Sequence, residues 1–197
     1  MHTIHRARAS LFGLFHHGSL YDRLISQGFR PLYARVTADV TAASPGAGTR
    51  VLDVGTGPGR VPLAIARALP ALRVEGLDLS AEMIDLARRN AAEAGLGDRV
   101  DFTVADVADL PYPGESFDLI VSSMSQHHWP DAAAGMRELR RVLRPGGRVW
   151  IYDFRFALRR AEAAARAAFP GYRIRREPVR TGRLPVRLIG RLVVEPS

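Results

Sequence analysis

The order of apolar and polar positions predicts alternating strands and helices from Arg50 onward. Short apolar runs bounded by glycine, proline or charged residues are typical of buried strands, whereas apolar residues three and four positions apart indicate one face of a helix. These rules predict strands over 51–54, 73–78, 98–105, 117–122, 148–153, 172–179 and 187–194, and helices over 61–69, 81–94, 131–143 and 157–168. Such alternation predicts an α/β fold with a mostly parallel sheet.

The first 49 residues follow a different pattern. Leucines and valines at helical spacing between Leu20 and Val40 predict two amphipathic helices, separated near Gly28 and Pro31. A Ser-Pro-Gly-Ala-Gly linker at 44–48 then leads into the first strand. We therefore expect an N-terminal helical cap over residues 1–49 and a single compact domain over 50–197.

The stretch Val51-Leu52-Asp53-Val54-Gly55-Thr56-Gly57-Pro58-Gly59-Arg60 predicts a buried strand, a tight turn and the start of a helix. Glycines lack Cβ, so they permit positive φ and let a ligand lie against backbone N–H groups at a helix N-terminus. Dinucleotide-binding domains share this arrangement, but their fingerprint is G-x-G-x-x-G. Here the third glycine comes one position earlier, and Arg60 takes the expected place.

Asp53 distinguishes a ligand that carries a pyrophosphate from one that carries an ammonium group. Its carboxylate, two residues before the first glycine, would repel a pyrophosphate but suits a ligand that carries an ammonium group. The stretch resembles motif I of the class I S-adenosylmethionine-dependent methyltransferases. The resemblance implies S-adenosylmethionine as the cofactor, with contacts from Asp53, Gly55, Thr56, Gly57 and Gly59.

A second carboxylate, Asp78, ends the next predicted strand about twenty residues beyond the glycine turn, where an acid meets the ribose hydroxyls in nucleotide-binding α/β folds. It could instead cap the following helix, but Ser80 already suits that role. Leu79 and Met83 follow, and Met83 is placed to pack on an adenine ring or in the core.

The resemblance also implies an adenine contact after the third strand. In the family, the acid at this point accepts a hydrogen bond from the adenine amino group, and the next backbone N–H meets a ring nitrogen. These are Asp106 and Val107 here, with Asp109 as the alternative acid. Either aspartate could simply cap a turn.

The fourth strand ends at Ser122 and leads into Ser123-Met124-Ser125-Gln126-His127-His128-Trp129-Pro130-Asp131, which resembles the ubiquinone- and menaquinone-biosynthesis-like branch of the family. The Arg-Pro-Gly-Gly turn at 144–147 is a further family hallmark. Ligands of open α/β sheets bind beyond the carboxyl ends of strands, where strand order reverses. Ser122 and Ser123 are therefore expected at the cofactor. His127 or His128 could serve as a general base, or the pair could be structural.

These signatures together imply a Rossmann-like, seven-stranded, mostly parallel sheet with helices on both faces and an antiparallel last strand. They also imply methyl transfer to a small-molecule acceptor by direct in-line displacement. Tyr21 and Tyr33 of the cap are candidate substrate contacts. Larger relatives insert a lid before the last two strands, where this chain has room for one helix. The pocket is then open, or completed by the cap or by a second subunit of a homo-oligomer.

Composition limits the other possibilities. The 197 residues contain no cysteine, which excludes disulfides, thiolate metal sites and a cysteine nucleophile, and the paired histidines lack a third ligand for a metal. No apolar run reaches the ~18 residues of a membrane span, and no signal-peptide core precedes the domain, so we expect a cytoplasmic protein.

The net charge is +8, and all 28 basic residues are arginine. This leaves open an RNA or protein methyltransferase that uses an arginine surface, or a genome bias without functional meaning. The absence of an N/D-P-P-Y/F motif after strand four disfavours nucleic-acid amino groups as acceptors. A non-catalytic partner subunit that binds S-adenosylmethionine is the third possibility.

Overall fold

The computed structural model describes residues 18–43, 45–180 and 188–197, with the backbone alone for residues 18–27. The chain divides into two units, Met1–Arg30 and Pro31–Ser197. The described helices are α1 (Gly18–Ala42), α2 (Arg60–Ala68), α3 (Ala81–Glu93), α4 (Ala132–Val142) and α5 (Ala157–Ala168). The strands are β1 (Arg50–Val54), β2 (Arg73–Asp78), β3 (Val100–Val104), β4 (Phe117–Ser123), β5 (Leu143–Phe154), β6 (Tyr172–Pro178) and β7 (Ile189–Pro196).

The described strands form a seven-stranded sheet in the order β3-β2-β1-β4-β5-β7-β6. β1 to β5 pair in parallel, and β7 is antiparallel to both β5 and β6. The predicted fold class, including the antiparallel last strand, is confirmed. Strand order reverses between β1 and β4, so the crevice above these two strands is where an open α/β sheet binds its ligand.

Helices cover both faces of the sheet. Leu52 and Ile151 belong to a core cluster that includes Met136 from α4 and Leu158 from α5. Side chains alternate between the faces of a strand, so Tyr152 points to the opposite face from Ile151. There its hydroxyl donates a 2.8 Å hydrogen bond to Asp39 on the second half of α1. The carboxyl ends of β1, β2, β4 and β5 thus lie at one edge, between two packed layers.

Two local predictions were wrong. α1 continues through Gly28 and Pro31 as one helix, because a proline withdraws one backbone donor while its φ still suits a helix. The predicted turn at 144–147 is an irregularity within β5, whose pairing with β4 jumps from Phe117–Leu143 to Leu119–Arg148. Gly146 allows this with a φ of 80°.

Among the helices the structure describes, none combines the length and the apolar character needed to cross a lipid bilayer.

Candidate functional site at the carboxyl edge of the sheet

The three glycines of the turn after β1 all have positive φ: 69° at Gly55, 52° at Gly57 and 78° at Gly59. A Cβ at Gly55 would lie 1.8 Å from the Ser125 hydroxyl, and one at Gly59 would lie 2.8 Å from the ring of Phe102. A Cβ at Gly57 would meet nothing within 4 Å. Gly55 and Gly59 therefore let the turn pack closely, whereas Gly57 leaves its backbone open to a ligand.

Hydrogen bonds join this turn to the neighbouring strand and helix. The Thr56 N–H donates to the carbonyl oxygen of Leu77 in β2 at 2.8 Å. The Asn90 side chain on α3 donates to the Pro58 carbonyl at 2.9 Å. The turn is thus tied both to the sheet and to the neighbouring helix.

Asp53 is the most unusual side chain of the site. It is 1% exposed, and its Oδ2 accepts a hydrogen bond of 2.8 Å from the Thr56 hydroxyl. Its Oδ1 is buried and has no hydrogen-bond partner among the described residues. Burial raises the pKa of Asp53 to about 7; the Thr56 hydroxyl opposes this rise, and the nearby Asp78 carboxylate adds to it. A buried carboxylate oxygen without a partner is a place where a ligand can donate a hydrogen bond.

Asp78 stands at the adjacent strand end. Its Oδ2 accepts a hydrogen bond of 2.8 Å from the Gly57 N–H, and its Oδ1 accepts one of 3.0 Å from the Ser80 N–H. Each carboxylate oxygen can accept more than one hydrogen bond, so capacity remains for hydroxyl donors. The structure therefore brings Asp53, Gly57 and Asp78 together at the crevice. Ser80 caps α3 by accepting a hydrogen bond from the Met83 N–H, as predicted.

Apolar side chains lie exposed beside these carboxylates. Leu79 is 62% exposed and Val104, the last residue of β3, is 47% exposed, while Met83 is half-buried. The alternating pattern of β3 predicted Val104 on the same side as the buried Val100 and Phe102, and sequence reasoning did not connect it with a site. Exposed aliphatic side chains at two neighbouring strand ends suit the face of an aromatic ring.

The segment after β3 places Asp106 at the surface. Its Oδ1 accepts a hydrogen bond of 2.9 Å from the Ala108 N–H, so this carboxylate also caps its own turn. The alternative acid, Asp109, is exposed too. The Val107 side chain packs in the core cluster, and only its backbone could meet a ligand.

The segment after β4 crosses the glycine turn. Ser122 and Ser123 are buried, and the Ser122 hydroxyl has no hydrogen-bond partner among the residues described. Met124 adopts a φ of 54°, which turns the chain sharply out of β4. A 3₁₀ turn over Gln126–His128 follows, and Ser125 contacts the position of Gly55.

Within this turn, His127 pairs with Asp153 at the end of β5. Nδ1 of His127 lies 2.8 Å from Oδ1 of Asp153 and 3.1 Å from Oδ2. Asp153 is fully buried and also accepts hydrogen bonds from the backbone N–H groups of His127 and Phe154. Sequence reasoning read Asp153 only as a strand end. A carboxylate at the end of the strand that neighbours β4 was the signal that could have identified it.

His128 lies in a different environment. Its ring centroid is 3.9 Å from that of His127, and no described group forms a hydrogen bond with its ring. Partial burial and the neighbouring His127 lower the pKa of His128, and the Asp153 and Asp78 carboxylates partly offset this effect.

The two tyrosines of the predicted cap are less informative. Tyr33 is half-buried on α1, and the side chain of Tyr21 lies outside the described residues. Their role as substrate contacts stays a prediction. In the described ranges 18–43, 45–180 and 188–197, no group of three or more histidine or carboxylate side chains is placed to hold a metal ion.

Comparison with known proteins identifies the domain. Residues 51–147 match the model of a methyltransferase domain. The methyltransferase GfsG of Streptomyces halstedii is 41% identical over 145 residues, which cover 72% of this chain and 49% of that protein. The 27-O-demethylrifamycin SV methyltransferase of Amycolatopsis mediterranei is 38% identical over 71% of this chain and 50% of its own length.

A ubiquinone/menaquinone biosynthesis C-methyltransferase of Geotalea daltonii is 35% identical over 68% of this chain and 56% of its own length. The chain thus spans about half the length of the curated relatives it matches.

Solved structures agree on the fold. A SAM-dependent methyltransferase from Aquifex aeolicus superposes with a TM-score of 0.67 at 20% identity, over 82% of this chain and 89% of its own. The [4+2]-cyclase SpnF gives the same TM-score at 24% identity, over 82% and 81%. The matched domain, the sheet order and the glycine turn with its two carboxylates converge, and the chain belongs to the class I S-adenosylmethionine-dependent methyltransferases.

Proposed function

We propose that this protein transfers a methyl group from S-adenosylmethionine to a small-molecule acceptor by direct in-line displacement. The observation that carries the proposal is the buried, unpartnered Oδ1 of Asp53 beside the open backbone of Gly57. The ammonium group of S-adenosylmethionine would bind to Oδ1 of Asp53, and the methionine part of the ligand would lie against the backbone of Gly57.

The charges of the site support this cofactor over a nucleotide with phosphates. Asp53 and Asp78 both present carboxylates at the crevice, and their mutual repulsion contributes to the raised pKa of Asp53. A diphosphate would add negative charge to this pair, whereas an ammonium group would relieve the repulsion and complete the hydrogen bonding of Asp53. The residues therefore fit S-adenosylmethionine.

The remaining parts of the cofactor have matching partners. Asp78 would accept hydrogen bonds from the ribose hydroxyls, and Leu79, Met83 and Val104 would offer an apolar surface to the adenine ring. Asp106 and the backbone of Val107 lie on the segment that follows β3, where the adenine edge would be recognised. Ser122 and Ser123, at the end of β4, would line the crevice on its other side.

When bound, S-adenosylmethionine supplies a methyl group made electrophilic by its sulfonium. The chain's own task is then to hold that group and an acceptor atom in line and to keep water out of the crevice. Orientation of this kind can supply about 7–11 kcal/mol of a reaction barrier, so no covalent intermediate with the protein is needed. The absence of cysteine is compatible with this mechanism.

Two observations favour a small-molecule acceptor. The relatives from Amycolatopsis and Geotalea are named for rifamycin and for quinone biosynthesis. Several arginines that could form a nucleic-acid surface are paired with neighbouring carboxylates; examples are Arg50, Arg141, Arg144, Arg166, Arg175 and Arg191.

A screen for S-adenosylhomocysteine formation tests the proposal. The purified protein is incubated with S-adenosylmethionine and with separate pools of metabolites, RNA and peptides. Turnover with metabolites supports the proposal. Turnover with RNA or peptides alone would instead indicate an RNA or protein methyltransferase that uses its arginine surface. Tight binding of S-adenosylhomocysteine without turnover in any pool would leave the non-catalytic partner subunit. Cytoplasmic location and self-association stay predictions, which fractionation and sedimentation can measure.

A further inference from the structure

Four large apolar side chains are exposed among the described residues, and the proposed cofactor would account for two of them. Leu79 and Val104 stand at the carboxyl ends of β2 and β3, where the adenine ring would lie. The other two, Phe156 and Leu188, are 73% and 60% exposed. Single exposed apolar residues are common on protein surfaces, so these two gain meaning only if they belong to one patch.

Phe156 and Leu188 belong to two segments that are hydrogen-bonded to each other. The backbone N–H of Arg155 donates a hydrogen bond of 2.9 Å to the Leu188 carbonyl, so the residue before β7 lies against the start of α5. Phe156 stacks on Phe154, with the two rings 10° from parallel and their centroids 5.5 Å apart. Phe154 in turn packs edge to face against His127, with centroids 5.4 Å apart. The apolar patch therefore continues inward to the turn that borders the crevice.

Two arginines accompany Phe156 on α5. Arg159 and Arg160 follow it by three and four positions, the spacing that puts side chains on the same side of a helix, and both are exposed. The guanidinium of Arg160 donates a hydrogen bond of 2.7 Å to the Pro130 carbonyl. A carbonyl oxygen orients this side chain but does not neutralise its charge.

A third arginine stands beside Leu188. The Val179 N–H donates a hydrogen bond of 3.1 Å to the Ile189 carbonyl and continues the antiparallel pairing of β6 with β7. The next residue, Arg180, is therefore opposite Leu188, and it is exposed. We call this group of residues the α5 corner: Phe156, Arg159, Arg160, Arg180 and Leu188.

Positive charge dominates the α5 corner. Three stretches meet there, and together they contain four arginines and no aspartate or glutamate: residues 154–160, 178–180 and 188–190. Asp131 is close enough to respond to Arg160, since the Ala134 N–H, and to a lesser extent Arg137 and Arg160, lower its pKa. Glu162, one turn further along α5, is already paired with two other arginines. The carboxylates nearby thus offset the arginines of the corner only in part.

We propose that the α5 corner docks this protein on the surface of a membrane that contains anionic lipids. Arginines beside exposed apolar side chains suit this partner, because the guanidinium groups bind lipid phosphates at the depth where the apolar groups leave water. A nucleic acid would engage the arginines but leave Leu188 in water, and Phe154 already covers one face of the Phe156 ring. The docked protein would hold its crevice beside the lipid.

This inference goes beyond the proposed function, and its test needs neither cofactor nor acceptor. The protein should sediment with vesicles of phosphatidylcholine mixed with phosphatidylglycerol, and binding should weaken as salt screens the arginines. Arg159→Gln should lower the partition coefficient about fivefold, which corresponds to about 1 kcal/mol for one arginine at an anionic surface. The matched control is Arg89→Gln, which removes an exposed arginine from α3, the helix that packs on β2 and β3 at the other end of the sheet. It should bind as the native protein does.

The apolar part of the contact has its own readout. Phe156→Ala should weaken binding to the same vesicles about tenfold, since burial of a phenylalanine side chain is worth at least that factor. Trp129 and Trp150 are both buried, so Phe156→Trp introduces a tryptophan at the surface. Its emission should shift to shorter wavelength on anionic vesicles and should be quenched by brominated lipid chains.

The outcomes decide between the partners. The proposal is overturned if the native protein does not bind anionic vesicles, or if Phe156→Ala and Arg159→Gln bind them as well as it does. RNA binding that falls in Arg159→Gln, in the absence of vesicle binding, would overturn it in favour of a nucleic acid. The changed side chains are exposed, so thermal unfolding near the native temperature separates lost binding from lost fold. Methyl transfer in the screen succeeds or fails independently of this result.

Discussion

The backbone N–H of Gly57 donates a hydrogen bond of 2.8 Å to Oδ2 of Asp78, which joins the glycine turn to the end of β2. The same carboxylate accepts the Ser80 N–H at the start of α3. The Asp78 side chain thus adds to the Thr56–Leu77 hydrogen bond in holding the turn against the end of β2. We therefore expect that a ligand group bound at the glycine turn changes the affinity for a group bound at the end of β2, and the reverse.

Replacement of Asp78 tests the ribose assignment. Asp78→Ala removes an acceptor for the ribose hydroxyls, so S-adenosylhomocysteine affinity should fall by about 1–3 kcal/mol, the cost of an unpaired buried partner. Calorimetry measures the change. Asp85→Ala, on the exposed side of α3, is the matched control and should bind as the native protein does. Equal affinities for the two variants would contradict the assignment.

Two glycine variants distinguish a loss of stability caused by backbone strain from a loss of ligand binding. Gly57→Ala and Gly146→Ala both place a Cβ in a left-handed conformation with no atom within 4 Å, so each should cost about 1–2 kcal/mol of unfolding free energy. Gly57 alone of the two lies at the crevice, where the new methyl group would occupy ligand space. We expect S-adenosylhomocysteine binding to weaken at least tenfold in Gly57→Ala and to persist in Gly146→Ala.

Denaturation and calorimetry together decide this comparison. If Gly57→Ala loses stability but binds normally, the open face of the turn is not where the ligand lies.

The buried carboxyl of Asp53 should make the ligand-free protein less stable as pH rises. Its folded pKa of about 7 exceeds the value of an unfolded aspartate, about 3.9, so the stability it contributes is complete below pH 4 and is lost as pH rises through 7. Asp53→Asn cannot titrate. The unfolding free energy of the native protein relative to this variant should therefore fall by up to about 1.4 kcal/mol for each pH unit between 5 and 7.

Urea denaturation at pH 5, 6, 7 and 8 measures this difference. A constant difference between the two proteins across that range would show that Asp53 is already ionised in the ligand-free fold.

Cofactor binding should have the opposite pH dependence. The ammonium group of S-adenosylhomocysteine requires an ionised Asp53, so binding below pH 7 must release a proton, and affinity should rise from pH 6 to pH 8. 5′-Methylthioadenosine lacks the amino-acid part and should bind without this gain. Calorimetry in two buffers of different ionisation enthalpy counts the protons released. The idea fails if both ligands respond to pH alike.

The sequence predicted the structure and the ligand best where the same residues determine both the local fold and the binding site. The glycine turn of residues 55–59 identified its strand, its helix and its ligand class together, because only glycine meets the backbone demands of that turn. The start of α3 followed from the Ser80 cap, which the structure contains, and Asp131 caps α4 in the same way.

The parts that sequence reasoning missed depend on contacts between distant segments. Asp153 becomes significant only because β5 lies beside β4, which brings it to His127 from 26 residues away. Val104 fits the apolar alternation of β3, but it is the last residue of that strand and is 47% exposed. The irregularity in β5 depends on its register with β4, and a single sequence does not encode register locally.

The unpaired oxygen of Asp53 also bears on selectivity in a mixture of metabolites. Adenosine triphosphate and its relatives share the adenine and ribose of the expected ligand and are abundant in cells. They carry negatively charged phosphates, and they have no ammonium group that could donate to the buried carboxylate of Asp53. The protein is thus expected to bind adenine nucleotides weakly, because their phosphates are repelled by the carboxylates of the site.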